Sequence, residues 1–205
     1  MFLEKLTRKG RNSMNLEGTQ TLINLARSFA GESQARGRYH FYADKIQKEG
    51  HESLYRRITE IENNELAHSK IFMDFITNNP NFGYENILID GGYPYKLGTV
   101  CENLLAAAKG ENEEATDAYP KFAKIAKDEG FIEIATAYEL IAKIEAEHEK
   151  IFTAMATHLQ NGTLYKREQP IKWKCENCGF EYSAENALEV CPVCSKPIGY
   201  MRGDL

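Results

Sequence analysis

Apolar residues recur along most of the chain at alternating intervals of three and four, the period of a helix with one buried face. Leu22, Leu25, Phe29, Tyr39, Ala43 and Ile46 mark a first stripe, and Leu54, Ile58, Ile61, Phe72 and Phe75 a second. Val100, Leu104, Ala107, Ala118, Phe122 and Ile125 mark a third, and Ile134, Tyr138, Ile141, Phe152, Met155 and Leu159 a fourth. Helices are therefore predicted over about Gly18–Glu49, His51–Ile76, Thr99–Asp128 and Phe131–Leu159. Gly50 and Gly130 close short turns, which makes each adjoining pair an antiparallel hairpin. Between the second and third helices, Asn78-Asn79-Pro80, Gly83, Gly91-Gly92 and Pro94 mark a crossover of about twenty residues, long enough for those helices to run parallel. Pro120 predicts a kink or break near Ala118-Tyr119.

Every stripe is interrupted by ionisable residues where core residues belong. Glu32 and Arg36 lie on the first, Glu65 and His68 on the second, Glu111 and Glu114 on the third, Glu145 and His148 on the fourth. An ionised carboxylate taken out of water without compensation is prohibitively costly, so a cation is expected opposite these groups. For one glutamate, a salt bridge to Arg36 or another basic neighbour would suffice. Five inward glutamates and two inward histidines on four registered stripes call for more.

Two Glu-x-x-His motifs, Glu65 to His68 and Glu145 to His148, each place two ligands one turn apart on a helix face. With single glutamates from the other helices they can enclose two divalent cations. The charge of plus four then balances most of the carboxylate charge. Glu32 and Glu65 are thirty-three residues apart, Glu111 and Glu145 thirty-four, as though one helical hairpin were used twice. Gly31 and Gly37 each cost roughly 1 kcal/mol in a helix relative to alanine. Their small size would let a backbone or ligand approach beside Glu32.

A chain of 205 residues, 42% hydrophobic, has room for one helical domain and a small appendage. Residues 1–17 read as an extension, in which Met14 is a candidate second start, 18–162 as the bundle, 163–171 as a linker and 172–205 as a second domain. The net charge of −5 gives no basis for a nucleic-acid partner. No stretch has membrane-spanning length, and the basic start of the chain lacks the apolar run of a signal peptide.

Four of the five cysteines form two C-x-x-C pairs, Cys175 with Cys178 and Cys191 with Cys194. Without an export signal such pairs favour thiolate metal ligation in a reducing cytoplasm. Their tetrahedral site, for zinc or iron, would staple a domain too short for a core of its own. Trp173, Phe180 and Tyr182 should pack over it, and Gly179 should let the backbone turn so that amides face sulfur. Cys101, outside this set, reads as an inert, partly buried thiol.

From about Asn15 onward the chain resembles the rubrerythrin family. The segments that carry the likeness are Phe29 to Arg36, Asn63 to His68, Gly110 to Glu114, Glu145 to His148 and the cysteine pairs. The resemblance implies an all-α, ferritin-like four-helix bundle with the long crossover, followed by a small rubredoxin-like β/loop domain. It implies iron ligation by Glu32, Glu65, Glu111, Glu114, Glu145 and His148, with His68 exchanging with Glu114 at one iron as the redox state changes. Tyr39 and Tyr119 match positions where the family places tyrosines beside the ligand carboxylates. Ser195 stands where isolated rubredoxins usually have glycine, and only twelve residues separate the cysteine pairs.

A dinuclear pocket and a one-electron iron centre in one chain point to a peroxidase that reduces hydrogen peroxide to water in oxidative stress defence. Its implied cofactors are two bundle irons and one tetrathiolate iron, with zinc or manganese as substitutes after recombinant expression. Its implied partners are an NAD(P)H-dependent rubredoxin reductase or similar donor, and a second copy in a head-to-tail homodimer or larger assembly. The competing readings are a ferroxidase or iron-storage protein, which would form a hollow oligomer, and a binding module with structural zinc.

Overall fold

A computed structural model describes residues 15–79 and 86–203. The N-terminal extension up to Met14, Pro80 and Gly83 of the crossover, and the last two residues lie outside the described residues. Among the described residues, five α-helices precede a small sheet: α1 Gln20–Lys48, α2 Glu52–Thr77, α3 Val100–Glu113, α4 Tyr119–Asp128 and α5 Ile132–Gln160. A single π-helical turn, Glu114–Ala118, joins α3 to α4. The third predicted helix is thus two helices, with the irregularity one turn ahead of the proline and Pro120 itself in the first turn of α4. There its missing N–H costs little.

The two hairpins end their first members identically. Gly50 and Gly130 both have φ of 90°, each after a glutamate. His51 and Phe131 then donate back to Ile46 and Ala126 at 3.2 and 2.7 Å. From Gly50 to Glu65 and from Gly130 to Glu145 is fifteen residues in both cases, whereas Glu32 to Gly50 is eighteen and Glu111 to Gly130 nineteen. The extra residue of the second hairpin falls where the π turn lies, and a π turn accommodates one added residue without ending the helix. It also rotates everything after it. The buried positions of α4 are Tyr119, Ala123 and Ala126, while the Ala118, Phe122 and Ile125 that uninterrupted α periodicity gives are only partly buried, Phe122 at the margin of the core.

Tyr39 of α1 meets Glu111 of α3, and Glu32 of α1 meets Tyr119 of α4, so α1 runs antiparallel to that segment. Since α2 returns along α1, α2 and α3 run parallel, as the crossover requires. Helix ends are secured by side chains. Thr99 and Glu102 form a reciprocal capping box on α3. Glu129, at the end of α4, accepts from the backbone of Gln20 and Thr21 at 3.0 and 2.8 Å and caps α1 across the hairpin boundary.

The apolar core is split in two. One half gathers Tyr42, Ile46, Leu54, Ile58, Leu104, Phe152 and Met155, the other Leu25, Phe72, Ala123, Ile134 and Tyr138. The polar interruptions of the four stripes fall between these halves. Strand β1, Lys166–Cys175, begins inside the stretch read as a linker and pairs with β2, Glu181–Asn186, and β3, Met201–Arg202, in the order β2-β1-β3. The sheet of the small domain thus draws six residues, 166–171, from that stretch, and the domain sits against the α1–α2 turn. Arg56 donates to the Glu176 carbonyl at 2.5 Å, and His51 Nδ1 lies 2.9 Å from the Tyr165 hydroxyl. A Cβ on Gly199 would overlap the Gly50 carbonyl.

Burial opposes ionisation of Glu129, but the donors from Thr21 and Gln20 outweigh it and hold its carboxyl below the usual value. Glu129→Ala should destabilise the fold by about 1 kcal/mol in urea titrations. Because the folded pKa is depressed, the difference from wild type should be full above the ordinary carboxylate pKa and close as pH falls through the folded value. An unchanged midpoint would mean that Glu129 does not cap α1.

Candidate metal centre

Between the two halves of the core, Glu32, Glu65, Glu111 and Glu145 have no exposed surface, and His68 and His148 are 4% and 3% exposed. They fall into two groups whose ligand atoms lie within 4.8 Å of one another: Glu32, Glu65, His68 and Glu145, and Glu65, Glu111, Glu145 and His148. Glu65 and Glu145 belong to both. Glu145 sets Oε1 2.9 Å from His68 Nδ1 and Oε2 2.8 Å from His148 Nδ1. Glu65 likewise places Oε2 3.4 Å from His68 and Oε1 3.1 Å from His148. Each of these carboxylates offers one oxygen to each group and would hold two cations side by side.

These close approaches are not aligned as hydrogen bonds. Glu32 Oε2, both oxygens of Glu65 and of Glu145, Glu111 Oε2 and both histidine Nδ1 atoms are buried without a hydrogen-bond partner. Buried polar atoms are normally satisfied. Here they converge on shared points, and oxygen and imidazole donors of this kind suit two divalent cations. The residues present thus fit a dinuclear metal site.

Their orientation is fixed from outside. The hydroxyl of Tyr39 donates to Glu111 Oε1 and that of Tyr119 to Glu32 Oε1, leaving each carboxylate's second oxygen for the interior. The pairing is reciprocal between the two hairpins. Asn64 places its side-chain amide nitrogen 3.2 Å from His148 Nε2; with the amide turned so that Oδ1 accepts from Nε2–H, it would leave Nδ1 unprotonated for a cation. Only its position beside Glu65 could have suggested this. Arg36 is exposed and lies 3.8 Å from Glu62, not beside Glu32.

Glu114 stands apart. Its counterpart in the first hairpin is Ala35, three residues after Glu32 as Glu114 is three after Glu111. The structure leaves it outside both ligand groups and brings His68 in. Glu114 is half-buried in the π turn and lines a cavity of 530 Å³ together with Tyr39, Tyr119, Gly31, Arg38 and Tyr93. A Cβ on Gly31 would lie 3.6 Å from Glu114 Oε1, an ordinary van der Waals contact, so the absence of a side chain there is not what makes room for Glu114.

The four cysteines form the third group. Cys175 and Cys194 sulfurs are 3.6 Å apart, as are those of Cys178 and Cys191. The two loops share one geometry. Gly179 donates to the Cys175 carbonyl at 2.8 Å and Ser195 to that of Cys191 at 2.9 Å. Their φ angles are 77° and 57°, so Ser195 holds a left-handed conformation that costs a non-glycine residue about 1–2 kcal/mol. The Phe180 and Lys196 amides face the sulfurs of Cys178 and Cys194. Trp173 is fully buried under the site, while Phe180 and Tyr182 stack with ring centres 5.6 Å apart.

Without metal, the bundle site must hold protons. Burial and neighbouring carboxylates push Glu32 well above its ordinary value and Glu111 up to about 8. Burial opposes charge on the histidines too, but contacts with Glu145, Glu65 and Glu111 prevail, raising His68 to about 9 and His148 to about 12. Metal must displace these protons, so affinity should rise with pH. Anaerobic calorimetric titration of ferrous ion into protein whose cysteine site is already filled, repeated in buffers of different ionisation enthalpy, should show net proton release near neutral pH. Absence of release would contradict the assignment.

The rubrerythrin family matches residues 24–156 and 102–175, and the rubrerythrin rubredoxin-like domain matches residues 173–201. Rubrerythrin-1 of Clostridium acetobutylicum is 43% identical over 91% of this chain and 95% of its own. Rubrerythrin of Porphyromonas gingivalis is 39% identical over 95% of both chains. In fold, the chain is similar to a partially reduced nigerythrin, with a TM-score of 0.60 at 22% identity over 97% of this chain and 96% of that one. The bacterioferritin of Desulfovibrio desulfuricans gives a TM-score of 0.63 at 20% identity over 75% and 86%. With both ligand sets in place and relatives of that name over nearly its whole length, this chain belongs to the rubrerythrin family.

Proposed function

We propose that the protein is a non-haem di-iron peroxidase, converting hydrogen peroxide, two protons and two electrons into two molecules of water. The observation that carries this reading is that a cavity reaches the ligand layer beside Glu114, while the same chain holds a single-metal tetrathiolate site. A storage protein has no use for the second centre. When bound and reduced, the two irons would supply Lewis acidity and the electron pair that cleaves the O–O bond.

The protein's own groups set the conditions. Glu65 and Glu145 would keep the pair together, and Glu32, Glu111, His68 and His148 would complete it. Burial and the adjacent carboxylates raise Tyr39 and Tyr119 well above the usual phenol value, so both keep their protons and act as fixed donors to Glu111 and Glu32. Burial and the charges of Glu111, Glu145 and Glu65 raise Glu114 well above its usual value while it stands outside the ligand groups. It then holds a proton on the cavity wall, where a departing oxygen needs one. Exchange of neutral His68 for anionic Glu114 as a ligand would follow the change in metal charge.

Electrons would enter through iron held by Cys175, Cys178, Cys191 and Cys194, from a nicotinamide-dependent reductase in the cytoplasm. The small domain packs at the end of its own bundle, where Arg56 contacts it nine residues before Glu65, about 14 Å along the helix. Delivery to the partner subunit of a head-to-tail homodimer suits that seat. Among the described residues, no helix is long and apolar enough to cross a membrane.

Stopped-flow mixing of the diferrous protein should show faster reoxidation by hydrogen peroxide than by dioxygen. Tyr119→Phe should slow the peroxide step about tenfold or more. Cys191→Ala should leave that single turnover intact and abolish steady-state turnover. Reoxidation by peroxide no faster than by dioxygen would sink the peroxidase reading.

A further inference from the structure

Hydrogen peroxide occupies little more than the share of one or two waters, each about 30 Å³. The cavity beside Glu114 measures 530 Å³. A second cavity of 310 Å³ adjoins it, with Arg38 and Pro94 bordering both. Its wall includes Phe41, Tyr42, Tyr95 and Leu97, and Gly37 leaves part of it open. A Cβ on Gly37 would meet nothing within 4 Å. Small-molecule sites commonly measure about 300–1,000 Å³ and combine an apolar wall with a few placed polar groups. Gln34 and Lys96 also border the second cavity, but Arg38 stands at the junction of the two, and its buried Nη1 has no hydrogen-bond partner among the described residues. The crossover forming the far wall is pinned to α1, with Arg27 donating to the Asp90 carbonyl at 3.0 Å and Tyr93 to the Arg27 carbonyl at 3.2 Å.

We propose that the two cavities form one binding site for organic hydroperoxides. The hydroperoxide group reaches the Glu114 side of the ligand layer, the apolar substituent occupies the second cavity, and Arg38 Nη1 donates to an oxygen at the junction. The inference rests on the peroxidase reading and names a wider substrate class for it. The O–O bond of ROOH would break with two electrons that the metal pair would supply when bound and reduced, and two protons would complete ROH and water. Gly37 would then be kept small for the substituent, despite its cost to α1.

The test compares holoenzyme turnover of hydrogen peroxide and cumene hydroperoxide in wild type and Gly37→Leu, together with calorimetric binding of the product alcohol, 2-phenyl-2-propanol, to metal-free protein. Leucine should be tolerated by the open space and by the helix, while filling the second cavity. Expected are unchanged kcat/KM for hydrogen peroxide, a loss of roughly tenfold or more for cumene hydroperoxide through KM, and a parallel loss of alcohol binding. Leu97→Lys, at an exposed position in the same wall, should produce the same selective loss. Turnover of hydrogen peroxide alone, or alcohol binding indifferent to both substitutions, would overturn the wider substrate class and leave the peroxidase standing. Turnover of neither peroxide would overturn the peroxidase reading and the inference with it.

Discussion

Four carboxylates without solvent exposure, set between two apolar half-cores, constrain everything else in this molecule. Ionised and unpaired, they would cost far more than a folded domain's margin of about 5–15 kcal/mol. Metal-free, they are accommodated by protons on carboxyls and imidazoles. With two divalent cations the same atoms are neutralised where they converge. The tyrosine hydroxyls on Glu32 and Glu111 hold the cluster's geometry by binding the carboxylate oxygens that face away from its centre.

Near-twofold repetition places the ligands, and its single break places the opening. Glu32, Glu65 and His68 correspond to Glu111, Glu145 and His148; Glu65 and Glu145 each stand fifteen residues past their turn glycine, and only Glu111 is one residue further from its glycine than Glu32 is. One additional residue in the second hairpin forces the π turn, and Glu114, whose counterpart is Ala35, begins it. A carboxylate with no symmetry mate thus stands at the irregular point of a helix and on a cavity wall. That combination leaves one side of the site irregular and open, the side on which the proposed exchange of His68 for Glu114 would take place.

Much of this was legible in the chain because helical periodicity reports inward faces directly. Glu32, Glu65, His68, Glu111, Glu145 and His148 stand where their stripes put them. Periodicity failed after Ala118, since a stripe extended at 3.6 residues per turn cannot register a one-residue slip. The thirty-four-residue separation of Glu111 and Glu145 was its only trace. Arg36 shows a related limit, because a long side chain one turn from a buried glutamate can reach outward to Glu62. In the small domain the C-x-x-C spacing gave the four-sulfur group. The early start of β1 was hidden by Pro170, which a strand tolerates at an edge or bulge, and a register shift does occur between Lys166 and Ile171. Asn64 and the cavities depend on which side chains meet across helices, which no single stripe encodes.

The most direct measurement is anomalous diffraction at the iron edge from crystals of iron-reconstituted protein. Two peaks should appear within the bundle, one among Glu32, Glu65, His68 or Glu114, and Glu145, the other among Glu65, Glu111, Glu145 and His148, with a third peak among the four cysteine sulfurs. A bundle with a single peak, or with none between Glu65 and Glu145, would contradict the claim that paired cations are what the buried carboxylates are arranged to hold.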